Sequence, residues 1–420
     1  YGDHRDLHSF PTRRSFRSIG GTCIQVTYGT TSILLDIGLP LSAVSLPVDV
    51  TDLKVDAVLV SHPHQDHFGL MDCLPQETPV YIGELGKNLI NTTNIMLNKE
   101  PHGNQFHHFK AWEPFHIGAF TITPYLMDHS AIDAYAFLIE AEGKRIFYSG
   151  DFRAHGRKGK LLENLVKHSI PNIDLLFLEG TMLQRSNDLF PDEKSVEHRL
   201  FEVIRKQKNI SFIISSSQNI DRIVSAFNAC RKAGKIMVID IYTAWVLDQV
   251  RQVTGNVPGM EWPEVRVYAD YGLDKKLKAN PEYFGDFRRR LYRRRVKWQE
   301  LLATPSSFLF FGRMSSFRKI SAFRNDIEPV NVIYSQWLGY LDGNHADYFG
   351  SDRISAFRED PKVNFVYAHT SGHAPVEDLQ RLAKVLKPKQ LIPIHTEKAS
   401  DYGKYFENVV MLQDGDELQL

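Results

Sequence analysis

At 420 residues and 48.2 kDa the chain exceeds the roughly 100–200 residues of one ordinary domain, so two packed units are expected. Its 43% hydrophobic and 24% charged residues, with 17 Tyr, 26 Phe and 5 Trp, can bury enough apolar surface to exclude disorder. Lys+Arg and Asp+Glu both number 50, so no global field draws the chain to nucleic acid or to an anionic membrane. No apolar run approaches the roughly 18 residues of a membrane helix, and no signal-peptide core opens the chain, which therefore reads as cytoplasmic with no membrane partner. Cys23, Cys73 and Cys230 are too few and too scattered for a disulfide framework or a thiolate metal site, so any metal must use His and carboxylates.

Asp3 to Ser15, DHRDLHSFPTRRS, resembles the translated read-through of a sequencing adapter, and residues 1–15 are set apart as a non-native segment. From Phe16 the pattern turns to short β-rich runs, and TCIQVTY, Gly29-Thr-Thr-Ser and ILLDIG read as a hairpin. Asp56 to Ser61 is a near-continuous apolar run, the mark of a strand buried on both faces, and the polar stretch SHPHQDHFG follows at once. Further strands are expected at Val80–Ile82, Ala119–Tyr125, Ala134–Glu140, Arg145–Ser149 and Ile173–Glu179. Beyond Asp188 helices and strands alternate: a helix over Asp192–Lys206, the strand SFIISS, a helix over Ile220–Lys232, the strand KIMVIDI and a helix over Ala244–Val253. Such alternation predicts parallel βαβ units and a Rossmann-like second domain. A long charged helix from Leu273 to Ala303 and the strands SFLFF and NVIYS come next. After Asp360-Pro361 follow the strand NFVYAHTSGH, a helix over Val376–Leu386 and the strand QLIPIHTE, so the second unit reads as inserted within the first.

The sharpest chemical signal is His62-Pro-His64-Gln-Asp66-His67. Just past a strand, residues two apart point the same way, so His62 and His64 can share one ion while a bend at Asp66 aims Asp66 and His67 at another. More ligands are expected at polar interruptions that close apolar strands: His129 in MDHS, Asp151 in YSGD and His395 in IPIHTE. Each of these alone also reads as an ordinary turn or hydrogen-bonded residue. A carboxylate such as Asp151 can bridge two cations, which neutral imidazole cannot.

SHPHQDHFG resembles the HxHxDH signature of the metallo-β-lactamase superfamily, and the order His129, Gly150-Asp151, His395 is similar to its later motifs. LFLEGT, HTSGHA and LKPKQLIPIHTE resemble the additional motifs of the beta-CASP nucleic-acid-processing branch, above all its ribonuclease J members, and the resemblance runs from Phe16 to the end. It implies an α/β fold: an αββα metallo-β-lactamase sandwich over residues 16–184 and 362–420, with an inserted Rossmann-like beta-CASP domain over 185–361. It implies one zinc ion held by His62, His64 and His129 and a second by Asp66, His67 and His395, with Asp151 bridging; two Zn2+ per chain are expected, and Mn2+ is the alternative. The implied activity is a ribonuclease in which a metal-bridging hydroxide attacks a phosphodiester. Asp66, Glu179 and His373 are its catalytic residues, with His373 as general acid toward the departing 3′ oxygen and Glu179 as its partner. His369, Ser371 and Gly372 are implied as substrate contacts, and Asp36, in ILLDIG, as a residue that positions the ligand loop. The last motif carries His395, the form similar to RNA-processing rather than DNA-processing members, so single-stranded RNA is the expected substrate.

The run Arg288-Arg-Arg-Leu-Tyr-Arg-Arg-Arg-Val-Lys297 reads either as a phosphate-binding edge or as a solvated face, and Arg153, His155, Arg157 and Lys158 are an equal alternative for RNA contact. Gly83-Glu-Leu-Gly86-Lys87 has two residues between its glycines where a P-loop needs four, and is declined as a nucleotide site. Two competing functions stand beside the ribonuclease: a hydrolase of small esters or lactones on the same fold, and a catalytically silent RNA-processing subunit. The chain ends 25 residues after His395, without the extra C-terminal domain that many ribonuclease J proteins use for self-assembly, so a homodimer and a processing complex remain alternative assemblies.

Overall fold

The structure is a computed structural model that describes residues 12–14, 19–40, 50, 53–168, 170, 172–185, 189–326, 329–341 and 350–420. Of the segment 1–15, only Thr12–Arg14 falls within this range, as a short strand antiparallel to Cys23 and Ile24; the rest of that reading lies outside the described residues. The chain divides into two compact units, one of residues 1–91, 100–186 and 372–420, the other of 92–99 and 187–371.

The first unit is built from two six-stranded sheets. One runs in chain order through Thr12–Arg14, Cys23–Tyr28, Thr31–Leu35, Ala57–Leu59, Val80–Ile82 and Phe106–His108. The other has the order Gln390–Ile394, Leu175–Glu179, Lys144–Tyr148, Ala134–Ala141, Phe120–Met127, Phe115–Ile117. Their facing sides share one apolar core, in which Val26, Ile33, Leu35 and Leu59 meet Phe137, Ile139, Tyr148 and Phe177. Because strand side chains alternate, the same strands turn Leu34, Val58 and Val60 outward on the first sheet against Phe68, Met71 and Ile90. Leu138, Phe147, Leu176 and Leu178 turn outward on the second sheet, under the helices Lys160–Lys167 and Val376–Leu386. Burial on both faces is why these strands read as unbroken apolar runs, each such side chain contributing roughly 1.5–3 kcal/mol. The layers are therefore helix, sheet, sheet, helix.

The second unit holds a seven-stranded, wholly parallel sheet: Arg295–Val296, Val265–Tyr268, Ile236–Asp240, Phe308–Gly312, Ser211–Ile214, Val330–Tyr334, Val363–Tyr367. Helices start where a short polar side chain takes an otherwise unbonded N–H: Asp192 caps Ser195 N, Asn219 caps Arg222 N and Asp240 caps Thr243 N. Two expectations are corrected here. The single helix from Leu273 to Ala303 is instead four short ones, Tyr271–Ala279, Pro281–Phe284, Phe287–Tyr292 and Trp298–Ala303, with a strand at Arg295–Val296. Pro281 has no N–H to continue the first, and Gly285 takes a φ of +51° that ends the second. The inserted unit also runs on past residue 361 to Ser371, because Val363–Tyr367 pairs residue for residue with Val330–Tyr334 in its sheet, and it takes in residues 92–99.

Candidate metal centre

In the first unit, polar segments follow the carboxyl ends of strands along one rim. The strand Ala57–Leu59 leads to His62, Phe120–Met127 to His129, Lys144–Tyr148 to Asp151, and Gln390–Ile394 to His395. Parallel pairing sets Glu179 beside Ile394, and so next to His395 in the neighbouring strand. The loop from His62 turns at once into the one-turn helix Gln65–Phe68, whose backbone is held by Ile37 N to His67 O at 2.8 Å and Leu39 N to Gln65 O at 3.0 Å. Glycine is required at 38 because a Cβ there would lie 1.6 Å from Asp66 O.

All seven expected ligands converge, in two adjacent sets. Donor atoms of His62, His64 and His129 lie within 4.8 Å of one another, and so do those of Asp66, His67, Asp151 and His395. His62 Nε2 and His129 Nε2 stand 3.1 and 3.4 Å from His64 Nδ1. A tetrahedral zinc with nitrogen ligands at about 2.05 Å has ligand–ligand edges of about 3.3 Å, so this spacing fits. In the second set His395 Nε2 is 3.2 Å from Asp66 Oδ2 and His67 Nε2 is 3.1 Å from Asp151 Oδ2. The same Asp151 Oδ2 is 3.8 Å from His62 Nε2, which puts this carboxylate between the sets. Asp151 Oδ1 is buried and accepts no hydrogen bond, an orphan that a cation would satisfy.

The rings are oriented by acceptors for their other nitrogens, the arrangement usual for metal-binding histidines. His67 Nδ1 donates to Asp36 Oδ2 at 2.7 Å, His129 Nδ1 to the Gly372 carbonyl at 2.6 Å and His395 Nδ1 to Thr181 Oγ1 at 2.8 Å. Ser61 Oγ donates to Asp36 Oδ2 at 2.8 Å and accepts from His62 Nδ1 at 3.0 Å. Asp36 also accepts from Ser61 N at 2.6 Å and from the hydroxyl of Tyr148, and its own φ is +58°. Beneath His129, the fully buried Arg153 lies 3.5 Å from Asp128 Oδ1, while Gly156 N donates to the other Asp128 oxygen at 2.9 Å. Ser61, Tyr148, Thr181, Asp128 and Arg153 escape the sequence reading. Each matters through a partner distant in the chain, and only the polar interruption of an apolar strand hints at any of them.

Burial and the neighbouring imidazoles hold His62 and His129 well below the ordinary histidine range, and burial brings His64 down to about 4. These rings are neutral and ready to ligate. For His67 burial acts downward but is outweighed by Asp151, Asp36 and Asp66, which raise it well above the usual value. Asp66 and Asp151 stay ionised, because the surrounding histidines overcome the upward effect of burial. His373, with Nδ1 3.4 Å from Glu179 Oε1 and 3.7 Å from Asp151 Oδ2, is likewise raised against the pull of burial. Glu179 is fixed by the N–H groups of Thr181, Phe152 and Ala374 at 3.1, 3.3 and 3.4 Å. A buried dication site flanked by a protonated imidazole is equipped to hydrolyse an ester of an anionic acid.

Two family models match the chain: the beta-lactamase superfamily domain over residues 33–238 and the Zn-dependent metallo-hydrolase RNA specificity domain over residues 362–410. Ribonuclease J of Helicobacter pylori (strain B128) is 25% identical over 96% of this chain and 59% of its own length. Ribonuclease J of Mycoplasma genitalium is 22% identical over 87% of the chain and 63% of its own length. "Probable RNase MJ4" of Methanocaldococcus jannaschii is 22% identical over 90% of the chain and 91% of its own length. Among solved structures, a protein of unknown function from Enterococcus faecalis V583 superposes with a TM-score of 0.76 at 21% identity, over 98% of this chain and 99% of that one, and so shares the fold. The chain belongs to the beta-CASP branch of the metallo-β-lactamase superfamily and is ribonuclease J-like. It spans about three fifths of the length of the Helicobacter relative, 59%.

Elsewhere in this beta-CASP protein the basic clusters are largely committed to internal partners. Arg288 pairs with Asp274 at 2.8 Å and Arg290 with Asp248 and Glu261 at 2.8 Å each. Arg294 donates to the carbonyls of Met260 and Trp262 at 2.9 and 2.6 Å. Arg153 is buried, and Lys158 donates to the carbonyls of Ala131 and Ile132, both at 3.3 Å. Gly83 and Gly86 serve packing rather than a nucleotide. A Cβ at 83 would lie 2.1 Å from Asp133 Oδ2, the oxygen that accepts Gly86 N at 2.7 Å at the start of the helix Glu84–Met96. His369 and Ser371 lie in the second unit, and Gly372 and His373 in the first. Among the described residues, no helix is long and apolar enough to cross a membrane.

Proposed function

We propose that the chain hydrolyses phosphodiester bonds of single-stranded RNA with two divalent cations, zinc or in its place manganese. The observation that carries this reading is the position of Asp151 between two ligand sets, with His373 3.7 Å from the same carboxylate. His62, His64 and His129 would hold one cation and Asp66, His67 and His395 the other, with Asp151 shared; the predominance of imidazole favours zinc. Cations bound there would supply an acidified water as nucleophile and neutralise charge on the scissile phosphate. His373 carries the proton that the departing 3′ oxygen needs, and Glu179 keeps it protonated and aimed. Asp66 anchors the second set from the ligand loop, while His369, Ser371 and Gly372 meet the substrate.

The match to an RNA specificity domain and the ribonuclease J relatives support this reading over a hydrolase of small esters. The presence of all seven ligand side chains argues against a silent subunit. The test is metal content by mass spectrometry, followed by a time course on matched 5′-monophosphate RNA and DNA single strands. Two zinc ions per chain with RNA-selective shortening support the proposal. Metal without cleavage of either polymer returns the small-ester reading, and absent metal refutes the ligand assignment.

A further inference from the structure

A second buried ion pair lies within the inserted unit, outside the metal centre. Arg222, on the helix Ile220–Lys232, is fully buried, and so is Glu193, the first residue of the helix Glu193–Lys206. The guanidinium grips that carboxylate with two bonds, Nη2 to Oε1 at 2.9 Å and Nε to Oε2 at 3.2 Å, and Ser225 Oγ adds a third donor at 3.0 Å. A buried charge pair is costly to desolvate and is retained where its geometry serves a purpose that an apolar pair could not serve.

The rest of the guanidinium faces the carboxyl ends of two neighbouring strands. Nη1 donates to the Ser335 carbonyl at 2.8 Å and to Ser335 Oγ at 2.6 Å, just past the strand Val330–Tyr334. Nη2 donates to the Thr370 carbonyl at 3.3 Å, just past Val363–Tyr367, and Ser335 Oγ donates to the Ala368 carbonyl. The arginine thus ties down the backbone of Ala368–Thr370, which leads directly into Ser371-Gly372-His373. Its remaining contact is Nη1 to His369 Nδ1 at 3.2 Å. A guanidinium has no lone pair to offer, so His369 Nδ1 must be the acceptor. The Ser335 carbonyl, 3.3 Å from the same nitrogen, is then not its hydrogen-bond partner.

We propose that Arg222 is a positioning residue that fixes His369 as a neutral imidazole with its proton on Nε2, making His369 a hydrogen-bond donor to the substrate and not a source or sink of protons. The substrate half of this statement rests on the ribonuclease reading; the tautomer half does not. The chemistry it would recognise is an anionic or carbonyl oxygen of the bound strand. A charged imidazole is disfavoured beside the arginine, and the Nδ1–H form has no room for its hydrogen.

The test uses the metal-loaded full chain labelled with 15N-histidine, with His369→Asn to assign the resonance. The expected spectrum shows His369 as the Nε2–H tautomer from pH 6 to 8, and in Arg222→Lys, which keeps the charge but loses the fork, a mixed or titrating ring. A titrating or Nδ1–H ring in the parent protein overturns the proposal, whatever substrate the protein cleaves. In steady-state cleavage, Arg222→Lys is expected to raise KM for RNA about tenfold or more, with kcat on an activated phosphodiester such as bis(p-nitrophenyl) phosphate within a few-fold of the parent and metal content unchanged. Equal losses on both substrates would make Arg222 merely structural and overturn the positioning role. If Arg222→Lys does not fold, the double variant Glu193→Gln, Arg222→Gln, which removes both buried charges together, is read in the same two assays. Absence of RNA cleavage in the parent, with the tautomer as stated, would count against the ribonuclease reading and the substrate half alone.

Discussion

Replacing His373 with alanine separates two roles that the geometry allows it. Its imidazole stands 3.4 Å from Glu179 Oε1, and Asp151, Glu179, His373 and His395 also lie close enough together to grip a cation. At an effective dielectric constant of about 20, a charge pair at this distance attracts by about 5 kcal/mol before desolvation is subtracted. That is enough for the carboxylates to overcome burial and hold a proton on the ring, as its raised pKa indicates. If that proton goes to the leaving oxygen, the variant should cleave RNA roughly 10²–10⁴ times more slowly in single-turnover experiments, about 3–5 kcal/mol of barrier. Its metal content should equal the parent's. An RNA with sulfur in place of the bridging 3′ oxygen departs as a thiolate without needing a proton, so its cleavage should fall less than about tenfold. Loss of metal from the variant, or equal slowing on the oxygen and sulfur substrates, would refute the assignment.

Metal affinity should depend on pH differently at the two ligand sets. His62 and His129 lie well below the usual histidine value and His64 at about 4, so the first set binds without expelling a proton near neutrality. His67, raised, must lose one, so affinity at the second set should climb with pH until its folded pKa is passed, and calorimetry in buffers of different ionisation enthalpy should find about one proton released there. For the metal-free protein the sign is opposite: the stability gained from protonated His67 is complete below its unfolded value near 6.5 and is lost as pH rises through the raised folded value, seen as a falling Tm. Asp36→Asn should weaken binding at the second set roughly 10–100-fold, because it disturbs the acceptor of His67 Nδ1–H; unchanged affinity in a zinc titration would contradict this. Gly38→Ala should cost metal binding and lower Tm, since the new Cβ would drive into Asp66 O; a variant with parental metal content would show that the loop can yield.

What the sequence disclosed was whatever it wrote within a short span. His62, His64, Asp66 and His67 stand in one loop after an unbroken apolar strand, and the period of Ile220–Lys232 matches the helix observed there. His129, Asp151 and His395 were legible through order and resemblance, because no local pattern distinguishes a ligand at a strand end from a turn. The Tyr148 hydroxyl on Asp36, the Arg153–Asp128 contact and the Arg222–Glu193 pair were not legible at all: each joins residues whose proximity is created only by sheet order and helix packing. The single helix expected over 273–303 failed for the opposite reason. Its breakers, Pro281 and Gly285, are plain in the sequence, and the charge periodicity was allowed to override them.

The most direct test of the account is anomalous diffraction at the zinc edge from crystals of the zinc-loaded protein. Two peaks are predicted about 3.5–4 Å apart, one among His62, His64 and His129 and one among Asp66, His67 and His395, with the Asp151 carboxylate touching both. A single peak, or one seated on Glu179 and His373, would contradict the two-cation arrangement on which the proposed chemistry rests.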